Sequence, residues 1–152
     1  MIFQDHYSGN CEVCGQEINV INSGCIEWLF RMHPRFHTVE GLRIVHERDE
    51  CCYAFNDYGL AARPYSHRRI PLGDCIGSDG LMRLLNLIST KELPAKEGSQ
   101  IIQRLYVPGY QLFRDKINEA IAAGVEIQMR VDNCYTVEDF KRFLVWWNNL
   151  PR

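Results

Sequence analysis

No stretch of this chain is long and apolar enough to read as a membrane span. The opening Met1-Ile2-Phe3-Gln4-Asp5-His6 has neither the basic start nor the apolar run of a secretory leader, so a cytoplasmic protein is expected. Charge of one sign is also lacking. The formal net charge is -2, which exerts no whole-protein pull on nucleic acid or anionic membrane, so any such binding needs a local basic patch. Repeats and low-complexity tracts are absent. The glycine-containing run Gly73-Asp74-Cys75-Ile76-Gly77-Ser78 lacks the lysine of a phosphate-cradling loop. An even cysteine count is missing too. Cys11, Cys14, Cys25, Cys51, Cys52, Cys75 and Cys134 make seven, scattered in a way that fits thiols or metal ligands in a reducing compartment and not a disulfide framework.

What is present is an ordinary globular composition. Of 152 residues, 46% are hydrophobic and 24% charged, enough to bury a core without disulfides. The loosest stretch, 57–80, is rich in Gly, Pro, Ser and Arg and marks the candidate boundary. The expected organisation is a β-rich module over 1–60 and a mainly helical part over 61–152, together forming one compact unit.

In the first module Ile26, Trp28, Phe30 and Met32 alternate with Glu27, Leu29 and Arg31, which predicts a strand. A second strand is expected at Leu42 to His46, and a third strand or short helix at Cys51 to Phe55. Further on, Ser78 is a candidate cap for a well-buried helix carrying Leu81, Leu84, Leu85 and Ile88 on one face, widened by Met82 and Leu87. A helix over Glu97 to Tyr106 follows, and another opens at Pro108 or Gly109 and stops at Gly124. Val125, Ile127, Met129 and Val131 alternate with polar residues and predict a strand over 125–131. Thr136 with Asp139 forms a capping signal for a last helix whose core face is Phe140, Phe143, Leu144 and Trp147.

Cys11-Glu12-Val13-Cys14-Gly15 has the spacing of a zinc knuckle: two intervening residues let both thiolates reach one tetrahedral ion, and Gly15 can turn the chain away beneath them. No βαβ context surrounds the pair, which argues against a redox motif. A structural zinc needs two more ligands, and three choices stand open. His46 with Cys51 is favoured, because His46 ends a strand and a hairpin fits between the halves. His33 with His37 has helical spacing, but Pro34 pushes His33 out of the helical region. Cys52 in place of Cys51 is the third.

The order Cys11-x-x-Cys14-Gly15, a hairpin, then Arg43-Ile44-Val45-His46 leading to a cysteine resembles a loose group of uncharacterised bacterial and phage-borne proteins. Leu105-Tyr106-Val107-Pro108-Gly109-Tyr110 at a helix start is similar to that group as well. Two residues usually separate the His from the last Cys there, whereas four do here. The resemblance implies a zinc site and attaches no activity to it.

Two basic stretches carry aromatics: Arg31, His33, Arg35, Phe36 and His37, and Arg63, Tyr65, His67, Arg68 and Arg69. They could grip phosphates and stack on a base, or be solvated loops whose arginines pair with acids. Trp146 lies off the main stripe of the last helix, either as added core or as a partner-binding ridge. No nucleophile carries a recognisable catalytic signature. The expected fold is α+β, a zinc-stapled, zinc-ribbon-like N-terminal β-hairpin packed on a mainly helical C-terminal part. The expected role is a non-enzymatic interaction or regulatory accessory protein acting through a protein partner in a phage or mobile-element setting. Nucleic-acid binding through loops 31–37 and 63–69 and metal-dependent hydrolysis are the alternatives. The latter requires His33, His37 or His67 around an open metal site.

Overall fold

Period-two patterning organises the N-terminal half. The computed structural model describes residues 7, 9–18, 21–33, 36–53, 65–128 and 135–151. Two short strands, β1 (Gly9–Asn10) and β2 (Glu17–Ile18), pair antiparallel around the 11–16 turn. Three longer strands follow, β3 (Gly24–His33), β4 (Phe36–His46) and β5 (Tyr65–Pro71), forming an antiparallel sheet of order β4-β3-β5. Ile26 lies between Ile44 and Ile70 on one face, and all three are buried. Glu27 lies between Arg43 and Arg69 on the other. Opposed residues share a face and successive residues alternate, so a hydrophobic row and an ionic row run side by side across the same strands.

β4 is longer than the 42–46 run expected, and β5 falls inside the stretch read as a boundary. Between Glu27 and Leu29 the register slips because β4 carries an extra residue, with Gly41 at φ 62°. This is a glycine bulge, and the Tyr53 hydroxyl closes on it by donating to the Gly41 carbonyl at 2.9 Å. A side chain at Gly41 would collide with that hydroxyl. Tyr53 itself lies outside any strand or helix, and Ala54 and Phe55 of the expected third element lie outside the described residues.

Helices α1 (Gly77–Ser89) and α2 (Ala95–Tyr106) follow. Leu84, Leu93, Ile101 and Leu105 share a core with Ile18, Ile26, Ile44 and Leu72. Ile76, not Ser78, occupies the α1 cap position. α1 is less buried than expected: Leu84 is enclosed, but Met82 is 66% and Leu85 45% exposed.

The chain divides into two compact units, Met1–Tyr106 and Val107–Arg152. The division thus falls at Tyr106, whereas the sequence pointed to residue 60. In the second unit α3 (Tyr110–Ala122) and α4 (Val137–Asn148) enclose Phe113, Ile117, Ala120 and Phe143. The Phe113 and Phe143 rings meet edge to face at 5.1 Å. The Thr136–Asp139 capping box forms as expected. The strand expected over 125–131 does not form at 125–128, and 129–131 lie outside the described residues. Val125 N–H returns to the Ala120 carbonyl, and Gln128 N–H donates to Asp139 Oδ1 at 2.9 Å. The segment closes α3 and caps α4, which leaves these donors unavailable to a neighbouring strand.

The fold is α+β, with a hairpin region near the N-terminus that carries a cysteine and histidine cluster. Among the described residues no helix is long and apolar enough to cross a membrane.

Candidate metal centre

The β1–β2 turn carries the first two donors. Gly15 N–H donates to the Cys11 carbonyl at 2.9 Å, and Cys11 N–H to the Gln16 carbonyl at 2.8 Å. Gly15 takes φ 74°, the left-handed geometry that the tight turn beneath the sulfurs requires. The end of β4 and the turn after it carry the other two. Arg48 N–H bonds the His46 carbonyl, and the Arg48 carbonyl accepts from both Cys51 and Cys52 N–H, folding 46–52 back on itself.

The two turns meet at the outer edge of β4. Glu12 N–H donates to the Ile44 carbonyl, Ile44 N–H to the Glu12 carboxylate, and His46 N–H to Cys11 Sγ at 3.4 Å. The result is a cluster of Cys11, Cys14, His46 and Cys51 whose ligand atoms all lie within 4.8 Å of one another, a group that could hold a metal ion. Cys11 and Cys51 are buried and Cys14 is exposed. A tetrahedral ion with metal–sulfur bonds of about 2.3 Å separates its sulfurs by about 3.8 Å, so only small closure is needed to grip one.

The surroundings suit metal ligation. His46 Nε2 faces the Glu17 carbonyl at 3.2 Å, and a carbonyl only accepts, so Nε2 carries the proton. That leaves the Nδ1 lone pair facing the cluster, 3.3 Å from Cys14 Sγ. A histidine oriented this way by its second nitrogen is the usual outer arrangement of a metal site. The thiols are tuned as well. Burial pushes Cys11 up, but N–H donors from Cys14, His46 and Val13 outweigh it and hold the thiol below its ordinary value. The Gln16 N–H, followed by bonds from His46, Cys11 and Arg48, brings Cys14 down to about 6 against some opposing desolvation. Burial raises Cys51, and the Arg48 guanidinium partly offsets it.

A second layer holds the turns in place. Glu27, fully buried, accepts from Arg43 Nε at 2.7 Å and from Tyr53 N–H, while Arg43 Nη2 donates to the Cys51 carbonyl at 3.2 Å. The Arg43 guanidinium also lies over the Tyr53 ring, 3.6 Å from its centroid. Glu12, inside the knuckle, pairs with Arg104 of α2 at 2.9 Å. Sequence reasoning missed Glu12, Glu27, Arg43, Arg48 and Arg104, because nothing local marks a charged residue whose partner is distant in the chain.

The competing ligand choices are separated from the site. His33 pairs with Phe36 at one end of the β3–β4 hairpin and His46 with Gly24 at the other, so His33 and His37 belong to the far end. Cys52 Sγ donates to the His46 carbonyl and lies 3.8 Å from Cys25 Sγ, outside the four-donor group. His67 pairs with Leu29 on β5.

Among the described residues, the basic positions of β3 and β5 fall on both faces of the sheet. Arg31 and Tyr65 are register partners across β3 and β5. Arg68 and Arg69, successive on β5, occupy opposite faces. Arg68 pairs with Glu92, and Arg69 lies 4.0 Å from buried Glu27. Arg35 and Arg63 lie outside the described residues. Trp146, in the second unit, is half-buried against Phe143 at 5.7 Å. Cys25 and Cys75 are fully buried, and burial raises both thiols, the opposite of an activated nucleophile. Cys134 lies outside the described residues.

No protein-family model, curated protein or solved structure matches the chain.

Proposed function

We propose that this chain binds one structural zinc ion through Cys11, Cys14, His46 and Cys51. It serves as a non-enzymatic interaction or regulatory protein whose binding surface that ion holds in shape. The observation that carries the reading is the convergence of three sulfurs and one imidazole nitrogen within 4.8 Å. Soft thiolates with one imidazole favour zinc among common divalent ions, and four protein ligands leave no open position for a substrate. That closure speaks against the hydrolase alternative.

Action through a protein partner is supported by Met82 and Leu85, exposed apolar residues one turn apart on α1. The phage or mobile-element setting rests on the motif likeness alone, and a cytoplasmic location on the thiol-rich composition. Against the nucleic-acid alternative, Arg68 and Arg69 face acids. A steep fall of binding with salt would restore it.

Elemental analysis of the purified full chain tests the zinc reading. One equivalent of zinc is expected, falling in Cys11→Ser, His46→Ala and Cys51→Ser. Metal-free protein whose stability is indifferent to chelator would refute it.

A further inference from the structure

The filled centre carries a charge that the four ligands do not balance. A divalent ion on three thiolates and one neutral imidazole has one net negative charge, at a site where Cys11 and Cys51 are buried. Among the described residues, the cation that donates to the sulfurs is Arg48. Arg48 Nε donates to Cys51 Sγ at 3.3 Å, and Arg48 Nη2 donates to Cys14 Sγ at 3.2 Å. The same Nη2 reaches Gln16 Oε1 at 3.2 Å, and Nε lies 4.0 Å from Glu50 Oε2. The Glu50 side chain is 80% exposed, so water screens it and it competes weakly for the guanidinium.

We propose that Arg48 is the positioning residue of the metal centre, a guanidinium that spans two of its three thiolates, cancels its excess negative charge and fixes the sulfurs for the ion. The inference rests on the zinc reading above.

Three features carry it. First, the planar guanidinium presents N–H groups in a fixed fork, which suits two acceptors on one side; a lysine could supply the charge but not the fork. Second, the two bridged sulfurs come from opposite halves of the site, Cys14 from the β1–β2 turn and Cys51 from the turn after β4. Arg48 therefore ties the halves together, alongside His46's own tether to Glu17. Third, its main chain is fixed independently, because its N–H and carbonyl make the bonds that fold 46–52. Replacing the side chain leaves that turn intact, so the effect of the guanidinium can be read by itself.

Hydrogen bonds to a thiolate lower the energy of its donor electrons. Sulfur-to-metal charge transfer then needs more energy, and the sulfur becomes less reactive toward alkylating agents.

The test compares wild type with Arg48→Gln and Arg48→Lys, using zinc competition against a chelator and the absorption spectrum of the cobalt(II)-loaded protein. Loss of outer contacts of this kind weakens metal binding by about 10- to 100-fold. Arg48→Gln should lose zinc affinity in that range, its cobalt charge-transfer band should move to lower energy, and Arg48→Lys should recover part of the affinity. Unchanged affinity in Arg48→Gln would overturn the proposal and leave the zinc reading standing. Weaker binding with an unmoved band would reduce Arg48 to a general structural role, which also overturns it. If wild type takes up neither zinc nor cobalt, the zinc reading fails first and the role of Arg48 fails with it.

Discussion

Arg104 of α2 and Glu12 of the knuckle, 92 residues apart in the chain, meet at 2.9 Å. The Arg104 side chain is almost wholly enclosed and that of Glu12 is 26% exposed. Glu12 also accepts from Ile44 N–H, so one carboxylate joins the knuckle to both the sheet and a helix. Hydrogen bonds to charged groups contribute about 1.5–3 kcal/mol. Glu12→Ala should destabilise the metal-loaded protein by about that much and weaken zinc uptake, because the ligand-bearing turn loses its anchor. A double-mutant cycle with Arg104→Met, followed by urea unfolding, measures the coupling. Additive single effects would show that the pair does not communicate.

If the proposed zinc is bound, chelation should lower the thermal midpoint of the wild type. A ligand that binds only the folded state at 1,000 times its dissociation constant stabilises by about 4 kcal/mol. Cys25→Ser provides the contrast. Cys25 is buried outside the cluster, so the variant should lose stability and keep one equivalent of metal, whereas Cys14→Ser should lose metal. Calorimetry with and without chelator, paired with elemental analysis, separates the two.

Glu27 sits wholly buried between Arg43 at 2.7 Å and Arg69 at 4.0 Å. Removing one partner of a buried ion pair costs about 3–5 kcal/mol. Glu27→Gln should approach that range, and the damage should reach the metal centre, because Arg43 also supports the Cys51 carbonyl. Denaturant unfolding of Glu27→Gln beside Glu40→Gln, a change at an exposed position of β4, is the comparison.

Asp139 provides a pH test in the second unit. Burial pushes its carboxyl up, but N–H donors from Thr136 and Gln128 and the Thr136 hydroxyl outweigh this and hold it below the ordinary carboxylate range. A depressed folded value means that the stabilisation is complete above the unfolded value, about 3.9, and is lost as pH falls through the folded one. Asp139→Asn should cost about 1–2 kcal/mol at neutral pH and little in strong acid. Fluorescence of Trp146 and Trp147 against pH, in wild type and Asp139→Asn, follows this. Parallel curves in both proteins would contradict it.

The legible parts of the molecule were those written in local spacing. Two residues between Cys11 and Cys14, followed by glycine, mark a knuckle wherever the chain goes next, and Thr136 three residues before Asp139 marks a cap. His46 and Cys51 were legible as candidates because one ends a strand and the other follows a turn. β5 was not. Residues 66–69 are all exposed and Ile70 alone carries the apolar signal, so a solvated edge strand reads as a loop. Over 125–128 the alternation gives no strand for the opposite reason: Gln128 N–H goes to Asp139, a competitor in the next helix that no window of alternating residues reveals. The outer supports of the metal centre were illegible because Glu27 and Arg43 are 16 residues apart and Glu12 and Arg104 far more.

The knuckle occupies outward-facing backbone donors of β4. Ile44 N–H ends on the Glu12 carboxylate and His46 N–H on the Cys11 sulfur. β4 is an edge strand, and an edge strand with open donors is a template for another chain. An ion bound by this cluster would, by holding the knuckle, also keep a sheet edge closed to self-association. Stripping it should lead to oligomers joined strand to strand before it leads to an unfolded monomer, with solubility the first property to fail.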